Sequence, residues 1–344
     1  MNDKLGRSIY LSLYRKDNSL LDEIPDGSGV FVSLHMEEEQ DDNYNEEILK
    51  LCKRLHEKNC QVIADISKHT LAQLNTDIKT LVRNCHLYAV RTDYGFSPDE
   101  MADIAKDSTL VLNASTMPLK EILKIREYGN VLAMHNFYPR KETGLDEDHF
   151  LEINRSLKEN NIKVLAFIPG KIKRGPLYEG LPTLEKQRFQ NVFINYVEMR
   201  KRYDVDQVIL SEPGLDEDEK RRIVLFEEDN IITLPVDLDD CYRHLLGNVY
   251  TNRIDSPSSL IRIRESREYS RSNGSVTQHD NTVERKAGSI TIDNSLYKRY
   301  CGELQITKKD YPQDEKVNVI GRIREEYLDL LKLIERGDRF IMEK

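Results

Sequence analysis

No run of apolar residues in this 344-residue chain approaches the roughly 18 that a membrane-spanning helix requires. The opening MNDKLGRSIYLSLYRK also lacks the hydrophobic core and small-residue cleavage site of a secretory leader. A cytoplasmic protein without a membrane partner is the expectation. Cysteine is sparse: Cys52, Cys60, Cys85, Cys241 and Cys301 are odd in number, widely spaced and without a CxxC pair, so reduced and mostly buried thiols are expected, with no metal centre and no cofactor. An excess of positive charge is missing too. The 51 Lys and Arg residues against 60 Asp and Glu leave a net charge of −9, which argues against nucleic acid as a partner but not against a local anion site. Neither a GxGxxG or GxxxxGK[ST] nucleotide loop nor an HExxH zinc helix occurs, and there is no array-type repeat.

What is present suits a folded chain of about two domains at some 150 residues each, with 39% hydrophobic residues for a core and 32% charged residues for a solvated exterior. Short apolar runs alternate with helical patterns, the sequence sign of a parallel sheet covered by helices. The runs are Ser8–Leu13, Gly29–His35, Gln61–Ser67, Leu87–Asp93, Leu110–Ser115, Val131–Phe137, Lys163–Pro169 and Gln207–Ser211. Eight of them close a (β/α)8 TIM barrel. From Ile231 the pattern changes to short β-like runs separated by turn residues, namely Ile231–Val236, Ser259–Arg264, Gly288–Ile292, Gly302–Ile306, Lys316–Ile320 and Arg339–Met342. The division expected is therefore a catalytic barrel over 1–230 and a smaller, mainly β domain over 231–344. Glu265–Glu284, rich in Ser, Arg, Asn and Gln, reads as a long surface loop.

In such a barrel, chemistry belongs at the C-terminal strand ends. Five adjacent runs there end in polar residues, four of them two apart, as Ser33 and His35, Asp65 and Ser67, Arg91 and Asp93, and Asn113 and Ser115, and the fifth carrying His135 and Asn136 side by side. Residues two apart share a strand face. Any one of these could merely cap a helix, but two carboxylates, an arginine and two histidines on one rim carry desolvation and repulsion costs that a structural rim has little reason to bear. After the seventh run, Phe167–Lys186 places Lys171, Lys173 and Arg174 among Gly and Pro, where barrels often bind phosphate; a solvated charge run is the alternative. A metal-dependent hydrolase could draw on His35, Asp65, Asp93 and His135, although the first strand has no HxH. None of the six clearest strand ends offers the lysine of a Schiff-base aldolase.

The segments Ile63-Ala64-Asp65-Ile66-Ser67, Arg91-Thr92-Asp93-Tyr94-Gly95-Phe96, His135-Asn136-Phe137-Tyr138-Pro139-Arg140 and Lys173-Arg174-Gly175-Pro176-Leu177-Tyr178-Glu179-Gly180-Leu181-Pro182-Thr183 resemble the bacterial 6-phospho-N-acetylmuramidases. The likeness continues through Tyr250-Thr251-Asn252-Arg253-Ile254-Asp255 to Tyr300-Cys301-Gly302-Glu303-Leu304-Gln305-Ile306, nearly the whole chain, with departures at Thr92, Met134 and Gln187. The resemblance implies a TIM barrel joined to a cyclophilin-like β domain. It also implies a glycosidase of cell-wall recycling, cleaving N-acetylmuramic acid 6-phosphate from N-acetylglucosamine across a β-1,4 bond.

Glycoside hydrolysis calls for an acid and a nucleophile or base, and Asp65 with Asp93 is the expected carboxylate pair, with Glu179 as substitute. Arg91 would keep one aspartate ionised. His35, Asn113, His135 and Asn136 would bond sugar hydroxyl or acetamido groups, Tyr138 or Tyr178 would stack on a sugar face, and Lys173 and Arg174 would hold the phosphate. Asn252 and Arg253 would close the site from the second domain, which could equally serve as a contact in a homo-oligomer. A sugar-phosphate sensor without catalysis is the non-enzyme alternative.

Overall fold

The computed structural model describes residues 5–34, 43–267 and 276–344, so the His35 candidate and part of the Glu265–Glu284 segment lie outside the described residues. The chain divides into two compact units, Met1–Leu215 and Asp216–Lys344.

The first unit is a closed parallel barrel in the order β1 to β8: β1 (Leu5–Ile9), β2 (Gly29–Ser33), β3 (Gln61–Ile66), β4 (Ala89–Thr92), β5 (Thr109–Asn113), β6 (Val131–Met134), β7 (Val164–Ile168) and β8 (Gln207–Leu210). Seven strands fall where the apolar runs predict them. The first does not: β1 starts earlier, and Leu11–Lys16 is a short helix, α1, after an extended Tyr10. A short apolar run has no period long enough to separate strand from helix. Further helices are α2 (Tyr44–Glu57), α3 (Lys68–Gln73), α4 (Ile78–Asn84), α5 (Pro98–Asp107), α6 (Leu119–Arg126), α7 (Glu147–Glu159) and α8 (Val192–Lys201). Helix α5 begins with a capping box, Ser97 with Glu100, and Pro98 in its first turn.

Strand alternation builds two cores. Phe31, Ile63, Ala89, Val111, Leu132, Leu165, Phe167 and Ile209 fill the barrel interior. Their neighbours one residue away, such as Val62, Ala64 and Val90, pack outward among Leu51, Cys52, Leu81 and Cys85. Ser33, Asp65 and Arg91 each stand two residues beyond an interior side chain and pair in register as Ser33↔Asp65 and Asp65↔Arg91. They are the polar layer above the apolar filling, facing the mouth.

The second unit opens with α9 (Glu217–Asp229), a segment that lies within the 1–230 span expected for the barrel. Its Arg222 bonds Glu343 and the Tyr327 hydroxyl within this unit. Seven strands follow in one sheet, β9 (Ile231–Leu238), β10 (Val249–Thr251), β11 (Leu260–Arg262), β12 (Ser289–Asp293), β13 (Leu304–Thr307), β14 (Val317–Ile323) and β15 (Arg339–Glu343), ordered β10-β15-β9-β14-β12-β13-β11. The three-residue β10 has no counterpart in the sequence expectation. Among the described residues no helix is long and apolar enough to cross a membrane.

Candidate active site

A cleft of about 420 Å³ opens at the C-terminal end of the barrel, lined by Ser33, Asp65, Arg91, Asp93 and Asn136 on one side and by Arg174, Pro176, Leu177 and Glu179 on the other. Phe31, Phe137 and Phe167 form its floor, packed edge to face with centroids 5.1–6.4 Å apart. Sugar rings are apolar on their faces and polar at their edges, and this combination of aromatic floor and polar wall suits them.

The polar wall is organised around Arg91. Its guanidinium is nearly sealed from solvent and donates through Nη1 to Asp65 Oδ1 at 2.7 Å and through Nη2 to Asn136 Oδ1 at 2.5 Å. Asp93 Oδ1 lies 3.8 Å from the same Nη1. The two aspartates therefore differ: the Asp65 side chain is 5% exposed and tightly ion-paired, whereas that of Asp93 is 29% exposed with a longer contact. Asn136 Oδ1 also accepts from Asn113 Nδ2 at 3.0 Å, which fixes the amide with its oxygen toward these donors. Asn113 Oδ1 in turn accepts from the Ser115 amide.

His135 and Asn136 are neighbours, and alternation sends them to opposite faces. His135 is fully buried outside the barrel, its Nε2 2.8 Å from Asn154 Oδ1 on α7 and its Nδ1 3.2 Å from Ser115 Oγ, with the Phe150 ring beside it. Burial depresses its pKa to about 4, so the ring is neutral near pH 7. Ser67, on the same strand end as Asp65, caps α3.

The loop after β7 forms the opposite wall. Arg174 faces the cleft with its guanidinium 4.2 Å over the Tyr10 ring. Lys173 is turned the other way, its Nζ donating to the Gly170 carbonyl at 2.7 Å and standing 3.7 Å from Glu212, and burial lowers its pKa. Glu179 pairs with Lys141 at 2.9 Å, and that bond holds its carboxyl below the usual range. Tyr178 is exposed with a left-handed φ of 57°, and neither it nor Tyr138 is among the lining residues. Asn252 and Arg253 belong to the second unit, where Asn252 donates to the Glu335 carbonyl and Arg253 forms a bidentate pair with Asp255.

Two residues that the sequence reading passed over hold this wall. Arg188 is 1% exposed and donates to the carbonyls of Tyr138, Gly180 and Arg140 while pairing with Glu185. Glu212, one residue beyond the last apolar run, is fully enclosed and accepts from the loop amides of Arg174 and Leu181. Its position just past the end of the eighth run was the available signal. Among the described residues no group of three or more His, Cys, Asp or Glu is placed to hold a metal.

Residues 5–224 match the family model described as 6-phospho-N-acetylmuramidase, N-terminal, and residues 232–343 the one described as 6-phospho-N-acetylmuramidase, C-terminal. No curated protein matches the chain. Among solved structures, a conserved protein of unknown function from Enterococcus faecalis is 31% identical, with 99% of this chain and 96% of that one covered and a TM-score of 0.82. An uncharacterized B. cereus protein, 24% identical and covered in full like this chain, shares the fold with a TM-score of 0.81. With both family models matched in order along nearly its whole length, the chain belongs to the 6-phospho-N-acetylmuramidase family and is a TIM-barrel glycosidase.

Proposed function

We propose that this cleft hydrolyses the β-1,4 bond between N-acetylmuramic acid 6-phosphate and N-acetylglucosamine, in the cytoplasm and in the service of cell-wall recycling. The observation that carries the reading is the unequal hold of Arg91 on two carboxylates beside an aromatic floor. The 2.7 Å pair with Arg91 fixes Asp65 deep in the cleft, whereas Asp93, at 3.8 Å and more open, is the carboxyl placed to reach a leaving-group oxygen. Asp93 is then the general acid, giving its proton to the glycosidic oxygen as N-acetylglucosamine leaves. Asp65 is the nucleophile, bonding to the anomeric carbon. Water then attacks that carbon while Asp93, now a base, takes its proton, and Asp65 is released as carboxylate.

Arg174 supports the phosphate assignment, because it is the cation of the basic loop that lines the cleft, and a guanidinium suits bidentate phosphate bonding. Asn136 supports recognition of an acetamido carbonyl or hydroxyl, since its oxygen is occupied by Arg91 and Asn113 and its amide nitrogen is left as the donor. The test is incubation of the protein with the phosphorylated and the unphosphorylated disaccharide, followed by mass analysis of products. Release of N-acetylglucosamine from the phosphorylated sugar alone is expected; saturable binding without products would make the protein a sensor.

A further inference from the structure

The cleft wall formed by the loop after β7 is one short segment, and a single buried side chain holds both of its ends. Of the residues from Arg174 to Leu181, all but Tyr178 and Gly180 line the cleft. Glu212 Oε1 accepts from the amide of Arg174 at 2.8 Å, and Glu212 Oε2 accepts from the amide of Leu181 at 3.2 Å. The same carboxylate stands 3.7 Å from Lys173 Nζ, and none of its side chain reaches solvent. Around this clamp the two loops lie backbone to backbone: Ile172 donates to the Pro213 carbonyl and Lys171 to that of Gly214. Gly170 comes so close to the Glu212 carbonyl that an added Cβ would stand 1.9 Å from it, so the approach requires a residue without a side chain.

From these contacts we infer that Glu212 is a positioning residue for phosphosugar binding, acting through Arg174 by fixing the ends of the 174–181 wall. An enclosed carboxylate is costly unless its oxygens are bonded and its charge is met, and here two amides and Lys173 do both. The clamp needs two acceptors. Glutamine offers one acceptor and one donor, so Glu212→Gln keeps the volume but sets an N–H against an N–H at one end of the segment. Glu212→Asp keeps the charge facing Lys173 while withdrawing it by one methylene, too short to span both amides.

The inference rests on the reading of the cleft as a phosphosugar hydrolase, and the test separates the two. In Glu212→Gln, KM for the phosphorylated disaccharide is expected to rise roughly tenfold or more, because a displaced binding group loses its geometry, with kcat changing far less. In a double-mutant cycle with Arg174→Ala the two effects on KM should not add, since removing Arg174 removes what Glu212 positions. Glu212→Asp serves the same cycle if the glutamine variant does not fold. Additive effects, or an unchanged KM in folded protein, overturn the positioning role while leaving the hydrolase reading intact. Failure of the wild-type chain to cleave the phosphorylated disaccharide overturns that reading and this inference with it.

Discussion

Arg91 and Asp65, opposite each other in the register of β3 and β4, close a 2.7 Å ion pair with both side chains almost removed from water. Removing one partner of a buried pair leaves the other charge uncompensated, at a cost of about 3–5 kcal/mol. Asp65→Ala should therefore lose both stability, read by urea unfolding, and turnover. Asp93→Asn should behave differently, keeping its melting temperature and ligand binding while turnover falls by roughly 10²–10⁴-fold, as for loss of a general acid. Wild-type turnover in Asp93→Asn would remove it from the mechanism.

Stereochemistry follows from the same arginine. Because Asp65 Oδ1 and Asp93 Oδ1 lie 2.7 and 3.8 Å from one nitrogen, the triangle inequality keeps them within about 6.5 Å, the lower edge of the separation used by inverting glycosidases. Retention is expected. Proton NMR of the first-formed muramic acid 6-phosphate should show the β anomer appearing before mutarotation, and initial release of the α anomer would exclude the nucleophilic role of Asp65.

Lys173 and Arg174 are adjacent in sequence but face different surroundings, so their alanine variants should separate. Arg174→Ala should raise KM much more for the phosphorylated than for the unphosphorylated disaccharide. Lys173→Ala, which removes a bond to Gly170 and the charge facing Glu212, should change both substrates alike and lower the melting temperature. Equal effects of Arg174→Ala on the two substrates would take the phosphate away from it.

His135 makes acid stability a further test. Its pKa is about 4 in the folded chain against 6.5 for the free side chain, so the unfolded state takes up the proton first. This stabilising contribution is complete above about pH 6.5 and is lost as pH falls toward 4, an effect of about 3 kcal/mol by linkage. Urea unfolding from pH 7 to 4.5 should show that slope, and His135→Gln, although less stable at pH 7, should show less of it.

The barrel was legible in the sequence because eight apolar runs, five of them with polar C-terminal ends, reproduce a local rule, strand alternation, that needs no long-range information. Asp65, Arg91 and Asp93 were legible for the same reason, each lying at a run's end on the inward parity. The same rule, applied strictly, separates His135 from Asn136, since adjacent strand residues cannot face one way. The first strand was misplaced because Leu11 and Leu13 satisfy a strand pattern while lying on a helical turn.

Residue types, run lengths and alternation thus determined by themselves that the chain is a barrel followed by a β domain, and which rim carries its carboxylates. Only the tertiary structure decided the partners. Arg91 chooses Asp65 over its own strand neighbour Asp93, Lys173 turns inward while Arg174 turns to the cleft, and Glu212 clamps a segment 31 residues away from it at its nearer end. Such choices depend on distances of a few ångströms between segments remote in sequence and on how much water each pair loses, and no local period encodes either quantity.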